Sequence, residues 1–112
     1  MSLDLFAGNK VRDFAAARGW YEQLFGEPAF MPHDTEAVWE LAEHRFVFIV
    51  EDRESPGGGH HTIFVEDLDA LVAEISARGA EPDERETYGN GVRKAIYRDP
   101  DGNEIGFGGP PA

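Results

Sequence analysis

The sequence contains no cysteine, which removes disulfides, thiolate metal sites and cysteine nucleophiles together. No apolar run is long enough to cross a bilayer, and no charged-then-apolar leader follows Met1. The expectation is a cytoplasmic protein, neither inserted in a membrane nor secreted. Basic residues are scarce, with 10 Lys and Arg against 22 Asp and Glu and a formal net charge of −12. A surface of that sign repels nucleic acid and anionic lipid, so neither is expected as a partner. Serine chemistry has no support either. There is no Gly-x-Ser-x-Gly elbow, and Ser2, Ser55 and Ser76 fall at the terminus, in a connector and late in a helix.

What is present suffices for a folded domain. The 112 residues are 41% hydrophobic and 12% aromatic, enough for a buried interior. The chain also repeats itself. Val11-Arg12-Asp13 introduces a helical run that stops at Gly26, and Val65-Glu66-Asp67 introduces another that stops at Gly79. The two aspartates lie 54 positions apart (67 − 13) and the two glycines 53 apart (79 − 26). Two similar open units packed side by side enclose a cleft that neither forms alone.

Within each unit the pattern reads βαβββ. Residues 3–7 alternate weakly as a first strand. Phe14, Ala17, Tyr21, Leu24 and Phe25 then recur at helical spacing, with Asp13 as N-cap and Gly26 as the stop. Asp67, Leu68, Leu71, Val72, Ile75 and Gly79 repeat the arrangement. Acids such as Asp67 and Asp69 at a helix start are explained by capping and the helix dipole, without an active site. Strands are expected over 29–32, 37–41 and 46–51 in the first unit, and over 83–87, 92–98 and 104–108 in the second. Gly89-Asn90-Gly91 and Asp99-Pro100-Asp101-Gly102-Asn103 divide the latter as turns. Residues 52–59, polar and ending in three glycines, read as a flexible connector. No helix follows them to make a phosphate loop.

Val65-Glu66-Asp67, Ala77-Arg78-Gly79 and the closing Tyr97-Arg98-Asp99-Pro100-Asp101-Gly102-Asn103 hairpin form a combination that resembles the glyoxalase / bleomycin-resistance / extradiol-dioxygenase superfamily, the vicinal oxygen chelate proteins. Val11-Arg12-Asp13-Phe14 with Trp20-Tyr21-Glu22-Gln23-Leu24-Phe25-Gly26 is similar to that family's opening. The resemblance spans nearly the whole chain. It implies an α+β fold in which two βαβββ modules form a curved mixed sheet enclosing a cleft, one domain over 1–112 with modules at about 1–52 and 60–112. The Asp99–Asn103 turn itself is read as structural.

The resemblance also implies a divalent metal, such as zinc, nickel, iron or manganese, held by inward-facing residues on the first and last strands of each module. Those positions correspond here to Phe6, Phe48, His60 and Gly106. Only His60 has a lone pair to offer, and sites of this kind take three or more protein ligands, so no metal is expected. His61 points to the opposite face, and Glu104 stands two positions from Gly106. A rearranged site using His60 with Glu104 is the alternative.

Strand alternation places Gly8, Phe46, Val50, Thr62, Phe64 and Gly108 on the same face as those four positions. It turns Val47, Ile49, Ile63, Val65, Ile105 and Phe107 toward the helices. The cleft face is thus aromatic with small residues, suited to a flat or cationic ligand. Phe6, Trp39, Phe48, His60, Phe64 and Tyr97 are the expected ligand contacts, with His60 supplying the polar one. The functional expectation is metal-independent binding of an aromatic or cationic small molecule, as in the antibiotic-sequestering members of the family, and the resemblance implies a homodimer, since small members often build their pocket across two subunits. The competing expectations are a metal-dependent lyase, isomerase or dioxygenase, and a non-catalytic protein-interaction domain.

Overall fold

The computed structural model describes residues 3–112; Met1 and Ser2, and with them the expectations placed there, lie outside the described residues. Each half follows the expected order. The first comprises β1 (Leu5–Val11), α1 (Phe14–Phe25), β2 (Phe30–His33), β3 (Glu36–Ala42) and β4 (Arg45–Glu51). The second comprises β5 (His60–Phe64), α2 (Leu68–Ala77), β6 (Glu84–Thr87), β7 (Arg93–Arg98) and β8 (Glu104–Gly109). The strands form two four-stranded mixed sheets, ordered β1-β4-β3-β2 and β5-β8-β7-β6, rather than one continuous sheet. In each, the first strand pairs parallel with the last and the others are antiparallel.

The helix boundaries follow from their caps. Asp13 accepts a hydrogen bond from the Ala16 amide, and Asp67 from the Ala70 amide, each satisfying a free N–H of the first turn. Gly26 and Gly79 end the helices at positive φ, +81° and +100°. The buried stripes are Phe14, Ala17, Tyr21 and Leu24 on α1, and Leu68, Val72 and Ile75 on α2. They form one apolar core with the helix-facing residues of both sheets, among them Ile49, Ala95 and Ile105. The Phe25 and Phe107 rings, 6.1 Å apart edge to face, join the two modules across it.

A buried polar cluster ties the modules at the other end. Asn9 Nδ2 donates to the Tyr21 hydroxyl, which donates to Asp99 Oδ2, both at 2.8 Å. Asn103 Nδ2 donates to Asp99 Oδ2 and to the Lys10 carbonyl. Asp99 Oδ1 accepts from the amides of Asp101 and Asn103, so the last hairpin is held by its own first residue. Asp99 and Asn103 are 5% and 0% exposed, and every polar atom named here has a partner, as burial requires. Burial and the neighbouring Asp99 carboxylate push the Tyr21 hydroxyl's pKa far upward.

The connector departs from expectation. It is held at several points rather than free, because Gly57 N donates to the Lys10 carbonyl and Gly59 N donates to Asn103 Oδ1. A Cβ at Gly59 would fall 1.8 Å from Asn9 Oδ1. Close approach, not mobility, accounts for that glycine.

Candidate functional site

β1 and β5 are the facing inner edges of the two sheets. At the polar cluster they are linked, with His61 Nε2 2.9 Å from Asn9 Oδ1. Between these edges lies a cavity of about 860 Å³ whose wall includes Ala7, Phe46, His60 and Phe64 of the strands and Phe25 and Leu71 of the helices. That volume lies within the range of small-molecule sites.

Strand register sets what reaches the open face. In the first module Phe6 pairs with Phe46 and Gly8 with Phe48. The Phe6 and Phe46 rings stack at 4.4 Å and 9°. The Phe48 ring lies over Gly8, where a Cβ would meet its Cζ at 2.1 Å. In the second module His60 pairs with Glu104, Thr62 with Gly106 and Phe64 with Gly108. The Phe64 ring covers Gly108, yet Phe64 is 71% exposed. A phenylalanine pair in one module and a histidine–glutamate pair in the other therefore hold corresponding places.

His60 and Phe64 line the cavity, whereas Phe6 and Phe48 do not: Phe6 stacks on Phe46, which does, and the Phe48 ring lies over Gly8. Trp39 and Tyr97 require correction. Trp39 pairs with Val47 and Tyr97 with Ile105, both helix-facing, so alternation turns these two rings away from the cleft. Trp39 is 2% exposed, donates its indole N–H to the Gly26 carbonyl at 2.8 Å and packs against Tyr21 and Phe25. Tyr97 is 1% exposed and packs edge to face on Phe107. Its hydroxyl is buried without a hydrogen-bond partner among the described residues, and burial pushes its pKa upward. Both are core residues.

The places the metal ligands would take are filled by a different chemistry. His60 Nε2 lies 2.7 Å from Glu104 Oε2, and Arg98 Nη2 lies 3.2 Å from Glu104 Oε1 and 2.8 Å from Glu84 Oε2. The Glu84 hydrogen bond and both carboxylates push the Arg98 pKa further up. Lys94 pairs with Gly108 on β8, but its side chain bends across Gly106, where a Cβ would meet Cε at 2.4 Å and Nζ at 3.3 Å. Its ammonium lies 3.9 Å from Glu104 Oε2. An ion brought to His60 and Glu104 would find a carboxylate already engaged by Arg98 and the imidazole, with the Lys94 ammonium 3.9 Å away. Among the described residues no three His, Asp or Glu side chains gather as a metal site. The donor set does not fit the divalent ion that the fold implies.

Sequence reasoning missed Lys94 and Arg98. Their signal was available: on β7 they stand at odd separations from Tyr97, so placing Tyr97 in the core turns both toward the cleft.

Residues 5–107 match the model of the glyoxalase-like domain family. No curated protein matches the chain. Among solved structures, a glyoxalase / bleomycin resistance protein from Catenulispora acidiphila DSM 44928 is 56% identical, with 98% of this chain and 100% of that one covered and a TM-score of 0.93. A lactoylglutathione lyase from Agrobacterium tumefaciens is 20% identical over 97% and 94% of the two chains, with a TM-score of 0.74. TnmS3, an antibiotic binding protein from Streptomyces sp. CB03234, is 24% identical over 98% and 97%, with a TM-score of 0.69. These last two likenesses concern the fold.

Proposed function

The chain belongs to the glyoxalase-like domain family, and from that premise we propose that it binds an aromatic small molecule between its two modules without a metal ion. The observation that carries this reading is the Lys94 side chain lying over Gly106 beside Glu104. An ammonium stands where a metal would need ligands, and repels a second cation.

The aromatic part rests on the cleft wall. Phe46 and Phe64 line the cavity, Phe6 stacks on Phe46, and Phe6 and Phe64 are 49% and 71% exposed. Exposed rings rimming a concave surface mark a ligand or partner site more often than a chance surface. A flat ligand stacked on one such ring gains about 0.5 to 1.5 kcal/mol beyond area burial. The net charge of −12 favours cationic ligands at long range. A cytoplasmic location and a homodimer belong to the same reading. Zero cysteines suit the first, and the exposed Leu5 and Phe30 support burial against a second copy.

The test is thermal unfolding with polycyclic aromatic compounds in the presence of EDTA. A true ligand at a hundredfold excess over its Kd stabilises by about 2.7 kcal/mol. Stabilisation that appears only when zinc, nickel, iron or manganese is supplied would favour a metal-dependent lyase, isomerase or dioxygenase with His60 and Glu104 as ligands.

A further inference from the structure

The side chain of Lys94 is only 12% exposed. A lysine ammonium offers three donors, and this one, which is not among the buried unpartnered groups, keeps them open to solvent or to a ligand. Its nearest carboxylate oxygen, Glu104 Oε2, is 3.9 Å away and beyond hydrogen-bond reach. That oxygen already lies 2.7 Å from His60 Nε2, and the other oxygen of Glu104 serves Arg98. Arg98 in turn is shared with Glu84 at 2.8 Å. Lys94 is thus the cation of this cluster left short of an acceptor.

Its position adds a direction. The ammonium lies above Gly106, while the exposed ring of Phe64 lies above Gly108 on the same face of β8. Two residues along a strand span about 7 Å, so a ring stacked on Phe64 puts a directly attached substituent close to the Lys94 ammonium. We infer that the ligand of this cleft carries an anionic oxygen on its ring system, a carboxylate or phenolate, and that Lys94 receives it.

The inference rests on reading the cleft as a metal-free site for aromatic molecules, and it deepens that reading by naming the ligand's functional group. The overall charge of −12 does not oppose it at contact. Charges beyond about 8 Å are screened at physiological ionic strength, whereas an ion pair at hydrogen-bond distance in a recessed site is not.

Calorimetry with three probes of one shape decides the matter: naphthoate, naphthamide and naphthylmethylammonium, at physiological ionic strength with EDTA. The wild type is expected to bind naphthoate about tenfold or more tightly than naphthamide, a difference of about 1.4 kcal/mol. Lys94→Met should erase the preference while naphthamide affinity persists, and Lys94→Arg should retain it. Equal affinities in the wild type, a preference for the ammonium, or a naphthoate preference that survives in Lys94→Met would overturn the inference and leave the aromatic site standing. The wild-type comparison needs no variant to fold. Failure of all three probes to bind would overturn both readings.

Discussion

A side chain at Gly106 would begin 2.4 Å from Cε of Lys94, so the lysine lies in space that only a glycine leaves free. The two residues sit on adjacent strands, and their relationship sets an ammonium on the cleft face beside Glu104.

Gly106→Ala tests that relationship. Gly106 has no positive φ, so alanine fits the backbone, and the contact to be relieved is a flexible stem. Stability measured by urea unfolding should stay within about 1 kcal/mol of wild type, since the entropic gain of Gly→Ala offsets part of the repacking. Naphthoate affinity should fall toward that of naphthamide because the ammonium is displaced.

Two tyrosines on the helix-facing side should respond oppositely to loss of their hydroxyls. Tyr21→Phe removes the partner of Asn9 and one partner of Asp99 in a buried cluster, and is expected to cost about 1 to 3 kcal/mol. Tyr97→Phe removes a buried hydroxyl with no partner among the described residues. It should leave stability unchanged or raise it by about 1 kcal/mol. Chemical denaturation of both variants checks the contrast.

Alkaline unfolding follows from the raised pKa of Tyr21. The unfolded chain ionises this tyrosine from about pH 10, whereas the folded chain keeps it protonated to higher pH. Above pH 10 the native state therefore binds more protons than the unfolded one, and stability falls as pH rises. The contribution is fully present below pH 10. The alkaline limb of the pH–stability curve should be less steep in Tyr21→Phe than in wild type.

Core and cleft aromatics should separate in one pair of variants. Trp39→Ala opens a cavity at a site 2% exposed and is expected to cost about 3 to 5 kcal/mol. Phe64→Ala, at 71% exposure, should shift stability by about 0.5 kcal/mol or less while weakening aromatic ligands severalfold. Denaturation and ligand titration on the two proteins distinguish these roles.

Much of the architecture is legible in the sequence because its signals are local. Both N-caps, both glycine stops and the alternation of β4, β5 and β8 stand where the pattern puts them. β1 is an exception. Its alternation fades after Ala7 in hydropathy alone, yet the strand runs on to Val11, where Asn9, polar but 1% exposed, is satisfied by Tyr21 and His61 from distant parts of the chain. No local pattern encodes such partners. The same holds for the connector glycines, whose partners Asn9 and Asn103 lie far away in sequence. Trp39 and Tyr97 mislead for a different reason. Aromatic character suggests a cleft wall, but their cross-strand partners Val47 and Ile105 assign them to the core. Lys94 is recognisable as a cleft residue only once Tyr97 is placed correctly.

The most direct test of the central claim is metal content by mass spectrometry, after expression in medium supplemented with zinc, nickel, iron and manganese and dialysis against metal-free buffer. With Lys94 across Gly106 and Glu104 engaged by His60 and Arg98, the wild type should retain only traces, no more than His60→Ala does. One ion per chain held by the wild type and lost in His60→Ala would contradict the account.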